Sequence, residues 1–229
     1  MTSRPAGRQG ARNGIPSTDG SRMTWRIRFN RWRRRMLRRW LFGPLFGEES
    51  GGQRLANTRI SPATMIEHED KLVLGDNVYI GPFNLIEASG GIRIDEGVQI
   101  TSHCVIVTHS SHRAQRLLGP AYVHWPLAPG AQRPGWIAGP VEIGAYSFVG
   151  PHSLIEANSR LGRGTLVCAG SFVRGEYPDF AILDGRPARV VGDSRRGDEK
   201  VLARYPELRV LYDTWAVAPA DAGLPVITR

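Results

Sequence analysis

Two histidines, His109 and His112, lie in the short run Thr108–Arg113 near the middle of the chain. Imidazole accepts a proton near neutral pH, so either residue could be a general base that deprotonates an acceptor hydroxyl. A histidine in a loop is commonly exposed and without a role. This pair lies where a regular sequence pattern breaks off, which makes both residues candidates for catalysis. The acids Glu87 and Glu156, which we expect to point outward from the fold, are the candidates for orienting one of the two imidazoles.

The pattern that breaks off there has a period of six residues. Aliphatic residues recur at this spacing in two runs, with one two-residue slip at Gly90-Gly91. They are Leu74, Ile80, Ile86, Ile94, Ile100 and Ile106, then Ile143, Val149, Ile155, Leu161, Val167 and Val173. A period of six fits neither a helix of 3.6 residues per turn nor the two-residue alternation of a strand. It is typical of a solenoid with three flat faces per coil and the aliphatic side chains in its bore.

The residues around each aliphatic position agree with this interpretation. The residue four positions later is small throughout the second run: Ser147, Ser153, Ser159, Thr165 and Ser171. A glycine often follows the aliphatic residue directly, as at a corner where backbones crowd or φ is positive. An ordinary β-sandwich is the alternative, but sandwiches do not keep one phase over so many repeats.

The aliphatic-Gly-x-x-small-x pattern, together with the closing run Gly185–Val191, resembles the hexapeptide-repeat acyltransferases. The members that it resembles most are the maltose, galactoside and polysaccharide O-acetyltransferases. The resemblance implies an all-β fold, a left-handed parallel β-helix over residues 46–192 with a long inserted loop at 107–140. The left hand is implied by the family alone, since the spacing does not report it.

The resemblance also implies an activity and an assembly. Members transfer an acetyl group from acetyl-CoA to a hydroxyl of a sugar or polysaccharide precursor, and they form homotrimers with sites between copies. Their general base is a histidine at the start of the inserted loop. His112, between Ser111 and Arg113, matches that motif best, and His109 is the second candidate.

The cofactor-binding positions that the resemblance carries over are Phe148, Ala169, Gly170, Arg174 and Arg189. In the family, certain positions contact the pantetheine arm of CoA, and two of these positions depart from the family pattern here. Phe148 stands where many relatives have tryptophan, and Pro151 stands where they have a small residue. The candidates for contact with the acceptor are Asn84, Glu87, Tyr122 and Trp125.

Two other functions remain open at this point. The chain could be a non-catalytic binding or scaffold solenoid. It could also be a zinc carbonic anhydrase-like enzyme, but three ligands must then converge, and His109 and His112 have no evident third partner. No metal is therefore expected. The acceptor, the acyl chain length and the choice between O- and N-acylation are not specified by the sequence.

The two ends of the chain differ from its middle. Residues 1–45 carry a net charge of +11, whereas the rest carries −2. Residues 1–21 are predicted to be disordered, and 22–45 to form a basic helix with an aromatic stripe. That helix could bind a membrane surface, pack against the β-helix or a neighbouring subunit, or bind nucleic acid, the last being unexpected without a recognised motif. Residues 193–229 are predicted to form a helical cap and a tail.

The cellular location follows from the cysteines and from the lack of an apolar span. Cys104 and Cys168 both fall within the repeats, as packing residues of a reducing compartment do. No uncharged apolar run is long enough to cross a bilayer, and no signal peptide is evident. We expect a cytoplasmic protein that could attach peripherally to the inner membrane face through residues 22–42.

Overall fold

The computed structural model describes residues 20–217. The predicted disordered tail, 1–21, lies outside the described residues except for its last two positions, and so does the end of the C-terminal segment, 218–229. The chain divides into two compact units, Met1–Trp40 and Leu41–Arg229. Helix α1 (Gly20–Leu41) accounts for the described part of the first unit. It ends just before Gly43-Pro44, a pair that opposes helix continuation.

The second unit is built mainly from very short strands. It starts with an antiparallel pair, β1 (Glu48–Ser50) and β2 (Gln53–Leu55). The first coil has β3 (Arg59–Ile60), β4 (Met65–Glu67) and β5 (Leu72–Leu74), and the second has β6 (Tyr79–Ile80), β7 (Leu85–Glu87) and β8 (Ile92–Ile94). The third coil has β9 (Gln99–Ile100) and β10 (Val105–Val107), and the inserted loop then interrupts it.

The inserted loop contains regular structure of its own. It holds β11 (His109–Ser110), helix α2 (His112–Leu118) and β12 (Ile137–Ala138). Strands β11 and β12 pair antiparallel, with His109 opposite Ala138 and Ser110 opposite Ile137. The two ends of the long insertion are thus hydrogen-bonded to each other, which holds the residues at its base in place.

The chain then returns to the repeats. Strand β13 (Val141–Ile143) completes the third coil. The fourth coil has β14 (Phe148–Val149), β15 (Leu154–Ile155) and β16 (Ser159–Leu161), and the fifth has β17 (Leu166–Val167), β18 (Phe172–Val173) and β19 (Glu176–Tyr177). An antiparallel hairpin of β20 (Ala181–Gly185) and β21 (Ala188–Asp193) follows, then helices α3 (Arg195–Arg204) and α4 (Arg209–Ala216).

Strands of successive coils stack into three parallel sheets, one for each side of the spiral. The first face has the order β17-β14-β9-β6-β3 and is extended by the hairpin β20–β21. The second face has the order β18-β15-β10-β7-β4, and the third face has β19-β16-β13-β8-β5. Since the chain visits the faces in turn, the corner between the second and third faces lies opposite the first face. The predicted β-solenoid is confirmed as an arrangement of parallel sheets.

The bore of the solenoid is filled as the six-residue period predicts. All twelve aliphatic residues of the two runs are buried. The small residues four positions later are buried as well, and in the first run Val78, Asn84, Val98 and Cys104 fill the same place. The glycines after the aliphatic positions are required by close approach. A Cβ on Gly75 would lie 2.5 Å from the backbone nitrogen of Glu96 in the next coil.

The C-terminal helices pack along the solenoid through aromatic side chains. Trp215 of α4 stacks on Tyr146, with ring centroids 4.6 Å apart, and also meets Phe180 at 5.8 Å. Ser194, just before α3, donates a hydrogen bond to the carbonyl of Gly164. Among residues 20–217, none of the helices combines the length and the apolar character that a membrane crossing requires.

Candidate active site

The corner between the second and third faces departs from the repeat in two successive coils. In the second coil, the slip at Gly90-Gly91 lengthens the turn after β7, and in the third coil the inserted loop leaves after β10. The ends of β7 and β10 are neighbours, because Glu87 is in register with Val107. The lengthened turn folds back over Glu87, so that the backbone N–H of Ser89 donates to its carboxylate at 2.8 Å.

Glu87 is a buried carboxylate surrounded by donors. The backbone N–H and the hydroxyl of Thr108 donate to its Oε2 at 3.1 and 2.8 Å. Only 4% of Glu87 is exposed, so it is not the outward acid that we expected from the sequence. Burial by itself would raise the pKa of this carboxyl, but the hydrogen bonds from Ser89 and Thr108 outweigh it and lower the pKa to about 2. Glu87 is therefore ionised at neutral pH.

His109 is held by that carboxylate. Its Nδ1 lies 2.8 Å from Glu87 Oε2 and 3.2 Å from Ser89 Oγ. An ionised carboxylate only accepts hydrogen bonds, so Nδ1 of His109 carries a proton. Nε2 of a neutral imidazole then keeps its lone pair, which is the protonation state that a general base requires. The side chain of His109 is 32% exposed, so a substrate can reach it.

Trp136 covers one face of the same imidazole. The two rings are stacked nearly parallel, with centroids 4.8 Å apart and planes 9° apart. Trp136 precedes β12, the strand that pairs with β11, and its N–H donates to the carbonyl of Arg133. The carboxylate fixes the edge of the imidazole and the indole fixes its plane, so the direction of Nε2 is set.

His112, the base that the resemblance favours, has a different environment. It is exposed at the start of α2, and its Nδ1 lies 2.7 Å from the hydroxyl of Ser110. Within the described part of the chain no acid contacts its ring. Glu156, the other acid considered for orienting a histidine, lies 3.6 Å from Arg174.

The residues expected to bind the cofactor are spread over the first face and the later coils. Phe148 is 40% exposed on β14, and Arg189 is exposed on β21. Ala169 is exposed, and within the described residues its backbone N–H donates no hydrogen bond to the chain. The N–H of Gly170 donates to the carbonyl of Pro151, so that amide is already engaged. Arg186 donates to the carbonyl of Gly170 at 2.5 Å.

The acceptor candidates fall into different environments. Asn84 is 3% exposed, and its side chain bonds the backbone of Gly81, Thr101 and Cys104. It therefore has no group left for a ligand, and we leave it out of the candidate site. Tyr122 is half-buried under the guanidinium of Arg133, whereas Trp125 is exposed in the inserted loop.

Three residues of this cluster were assigned no role in the site from the sequence: Ser89, Thr108 and Trp136. Ser89 stands next to the slip at Gly90-Gly91, and Thr108 is the first residue after the interrupted run. These interruptions were the available signal. The stacking of Trp136 on His109 requires the β11–β12 pairing, which the sequence did not predict.

A separate groove of about 590 Å³ runs along the third face. Its lining includes several charged residues, among which Arg93 pairs with Glu142 at 3.1 Å and lies 3.5 Å from Asp95. Burial raises the pKa of Asp95, in part offset by Arg93. None of the residues that line this groove belongs to the cluster around His109. Among residues 20–217, no group of three or more His, Cys, Asp and Glu side chains is arranged to hold a metal ion.

Comparison with known proteins gives relatives in one class. No protein-family model matches the chain. It is 30% identical over 145 residues to the probable acetyltransferase Rv3034c of Mycobacterium tuberculosis, a match covering 63% of this chain and 45% of that protein. The match thus spans less than half the length of this curated relative.

Three solved structures of similar architecture illustrate the comparison. A hexapeptide-repeat containing acetyltransferase from Vibrio cholerae has a TM-score of 0.48 at 19% identity, covering 76% of this chain and 89% of that one. The N-acyltransferase AntD from Bacillus cereus, in complex with dTDP and 3-hydroxybutyryl-CoA, scores 0.47 at 20% identity, covering 67% and 89%. A maltose O-acetyltransferase from Clostridium difficile 630 scores 0.44 at 20% identity, covering 57% and 63%. Like the curated relative, these proteins are named as acetyltransferases or acyltransferases, the class that the sequence resembles.

Proposed function

We propose that this protein is a CoA-dependent acyltransferase that moves an acetyl group from acetyl-CoA to a hydroxyl of a sugar or glycan precursor. His109 is the general base and Glu87 orients it. The observation that carries the proposal is the buried, ionised Glu87 at 2.8 Å from Nδ1 of His109, with Trp136 stacked on the ring. A scaffold protein has no need of a partly exposed imidazole that is fixed on two sides.

The geometry favours His109 over His112 for a physical reason. A base must point at the acceptor hydroxyl while that hydroxyl attacks the donor, so its orientation has to be fixed beforehand. Glu87 and Trp136 fix the ring of His109. His112 is exposed and is bonded to a serine hydroxyl, which restrains it less. His112 then acts, if it contacts substrate, as a binding residue at the start of α2.

The reaction is a direct transfer. Nε2 of His109 takes the proton of the acceptor hydroxyl as its oxygen attacks the thioester carbonyl, and a C–O bond forms while the carbonyl π pair moves to oxygen. Collapse of this intermediate breaks the C–S bond, and the imidazolium returns its proton to the departing CoA thiolate. The products are an O-acetyl ester and free CoA. The unengaged backbone N–H of Ala169 is the candidate donor to the oxyanion.

The positions of the two partial sites imply that two copies build one complete site. Phe148 lies on the first face, whereas His109 lies at the corner opposite that face. One chain cannot bring both against a single thioester. In a closed trimer, the corner of one copy can face the first face of its neighbour, so CoA would lie in the seam between them. This arrangement supports the homotrimer.

The outer surface of the second face supports such an assembly. In each coil the residue just before the aliphatic position of this face is apolar, and the five are in register: Met65, Leu85, Val105, Leu154 and Phe172. The corresponding residues of the third face are mostly charged, as with Arg93, Glu142 and Arg160. A flat apolar ladder along one side of a solenoid is the kind of surface that subunits bury.

A hydroxyl acceptor fits this site better than an amine. A neutral amine attacks a thioester with less help from a base, whereas a hydroxyl needs its proton removed during attack. The strong anchoring of His109 by Glu87 therefore supports O-acetylation. The 30% identical relative, a probable acetyltransferase, supports acetyl as the group transferred. Acetyl-CoA as donor, together with the two free cysteines, agrees with a cytoplasmic reaction.

The test is release of free CoA thiol from acetyl-CoA in the presence of candidate sugars and glycans. His109→Asn should lower kcat by about 10² to 10⁴, the usual contribution of a general base, and leave CoA binding intact. His112→Asn is the matched control and should lower kcat by less than about tenfold. Equal losses in both variants would contradict the assignment of His109. Failure of the wild-type protein to bind CoA in calorimetry would favour the scaffold function instead.

A further inference from the structure

Helix α1 carries one apolar stripe and no acidic side chain. Over Trp25–Leu41 it has eight arginines and neither Asp nor Glu. At about 100° per residue, five apolar side chains fall within about 80° of one another around the helix axis. They are Trp25, Phe29, Trp32, Met36 and Trp40. We refer to these five residues as the α1 stripe.

The α1 stripe is exposed and partly pre-organised. Trp25, Trp32 and Trp40 are 64%, 56% and 75% exposed. The ring of Phe29 stacks between those of Trp25 and Trp32, with centroids 5.5 and 5.7 Å apart. A continuous aromatic surface of this kind is costly to leave in water, so it implies an occupant.

The charges beside the stripe indicate what that occupant is. Arg33 and Arg39 lie about 60° to either side of the stripe centre, whereas Arg34 and Arg38 lie about 160° away on the opposite side. Arginines at the edges of an aromatic stripe can reach the phosphate level of a bilayer while the rings enter the acyl boundary. A protein surface would have to supply several acids to match them, whereas a bilayer of anionic lipid supplies phosphates at every position.

We propose that helix α1 binds flat on a bilayer surface rich in anionic phospholipids, with the α1 stripe inserted and the flanking arginines on the lipid phosphates. The helix is about 33 Å long, so it would lie along the surface. This proposal is independent of the acyl transfer, since no residue of α1 is part of the candidate active site. It would bring the enzyme to acceptors that are themselves held at the membrane.

The test is flotation of the full-length protein with two kinds of vesicle. One kind is phosphatidylcholine alone, and the other is equal parts of phosphatidylcholine and phosphatidylglycerol. The protein should float with the vesicles that contain phosphatidylglycerol and remain at the bottom of the gradient with vesicles of phosphatidylcholine alone. Tryptophan emission should shift to shorter wavelength only with the anionic vesicles, because the rings of the α1 stripe leave water.

Two pairs of variants with equal net charge separate a docked helix from general attraction to anions. Arg33→Gln with Arg39→Gln should lower the partition coefficient about thirtyfold, since each surface arginine contributes about fivefold. Arg34→Gln with Arg38→Gln should lower it less than about fivefold, because these charges face away and salt screens them. Equal losses in the two pairs would overturn the proposal and leave a nonspecific polyanion binder, including of nucleic acid.

The apolar part of the proposal has its own matched pair. Trp32→Ser removes a stripe residue, and Leu37→Ser removes an exposed apolar residue outside the stripe. Only the first should weaken flotation by tenfold or more, while thiol release with a water-soluble acceptor stays unchanged in both. If Trp32→Ser instead changes the size of the assembly in sedimentation and leaves flotation intact, the stripe is a contact between copies and the proposal fails.

Discussion

Glu87→Gln removes the charge that we propose to orient the general base, and its effect on stability can be worked out from the structure. The carboxylate of Glu87 accepts hydrogen bonds from Ser89 and Thr108 and also holds His109. Those bonds favour the ionised form, which is why the pKa of Glu87 falls from 4.5 to about 2 despite burial. The same preference stabilises the folded protein relative to the unfolded chain, whose carboxyl has the ordinary pKa.

The magnitude follows from the difference between the two pKa values. With a folded-state pKa of about 2 against 4.5 unfolded, ionised Glu87 contributes about 3 kcal/mol of stability. Because the folded-state pKa is the lower one, this contribution is complete above pH 4.5 and is lost as the pH falls toward 2. At pH 3, about 2 kcal/mol of it has gone. Glutamine does not titrate, so the variant lacks this pH-dependent contribution.

The assay is denaturant unfolding of wild type and Glu87→Gln between pH 7 and pH 3, at one fixed protein concentration because subunit association would contribute. The variant should be less stable by about 3 kcal/mol or more at pH 7, and the difference should narrow by about 2 kcal/mol at pH 3. Glu67→Gln is the matched control. Glu67 is in register with Glu87 one coil away but is exposed, so its replacement should change stability by less than about 0.5 kcal/mol.

A stability difference that stays constant from pH 7 to pH 3 would refute the reasoning. It would mean that the pKa of Glu87 is the same in the folded and the unfolded protein, so that its surroundings do not favour the charged form and the cost of the substitution is a matter of shape. The hydrogen bonds from Ser89 and Thr108 would then not be holding a carboxylate charge in place, and the proposal that Glu87 is built to orient His109 would lose its support.

Three further predictions concern residues around the site and the corners. Trp136→Ala should lower kcat about tenfold with little change in the KM for CoA, whereas Trp136→Phe keeps a stacking ring and should lower kcat less; steady-state kinetics measures both. Asn84→Ala should cost about 2 to 4 kcal/mol in denaturant unfolding, because it leaves the buried backbone of Thr101 and Cys104 without partners, and should not change the KM for the acceptor. Gly75→Ala should lower the free energy of unfolding by at least about 2 kcal/mol, because its Cβ would collide with the next coil. Gly197→Ala, which lies in open space within α3, should raise it by up to about 1 kcal/mol. Thermal melting followed by circular dichroism measures both.

The fold could be read from the sequence because its core repeats. Each aliphatic position in the bore has the same kind of surroundings as the position six residues later, so one rule predicts the burial of all twelve aliphatic residues. Even the places where the rule is broken were visible, as with the slip at Gly90-Gly91. The structure inside the inserted loop was not predictable in this way. Its β11–β12 pair joins residues that are almost thirty positions apart and follow no repeat.

The site could be read only in part, because it depends on which side chains meet across coils. Glu87 and Glu156 both follow an aliphatic position, and either could have oriented a histidine. The lengthened turn at Ser89 decides between them, since it buries Glu87 and supplies a donor, whereas Glu156 stays near Arg174. The preference for His112 came from a local motif. A local motif carries no information on contacts between coils, such as the hydrogen bond from Thr108, one residue before His109, to the carboxylate of Glu87.

A regular solenoid is poorly suited to hold a buried charge, because every coil presents the same short turn to the corner. Two irregularities at one corner remove that restriction here. The extra residues Gly90 and Gly91 allow the turn to fold back, and a side chain on Gly90 would collide with Thr108 in the next coil. The departure of the loop after β10 frees the next coil from its usual turn, so Thr108 and His109 can face Glu87. Each interruption alone would leave the carboxylate short of donors. Deleting the Gly90-Gly91 insertion should therefore abolish the proposed acetyl transfer, even though the shortened turn matches the regular repeat.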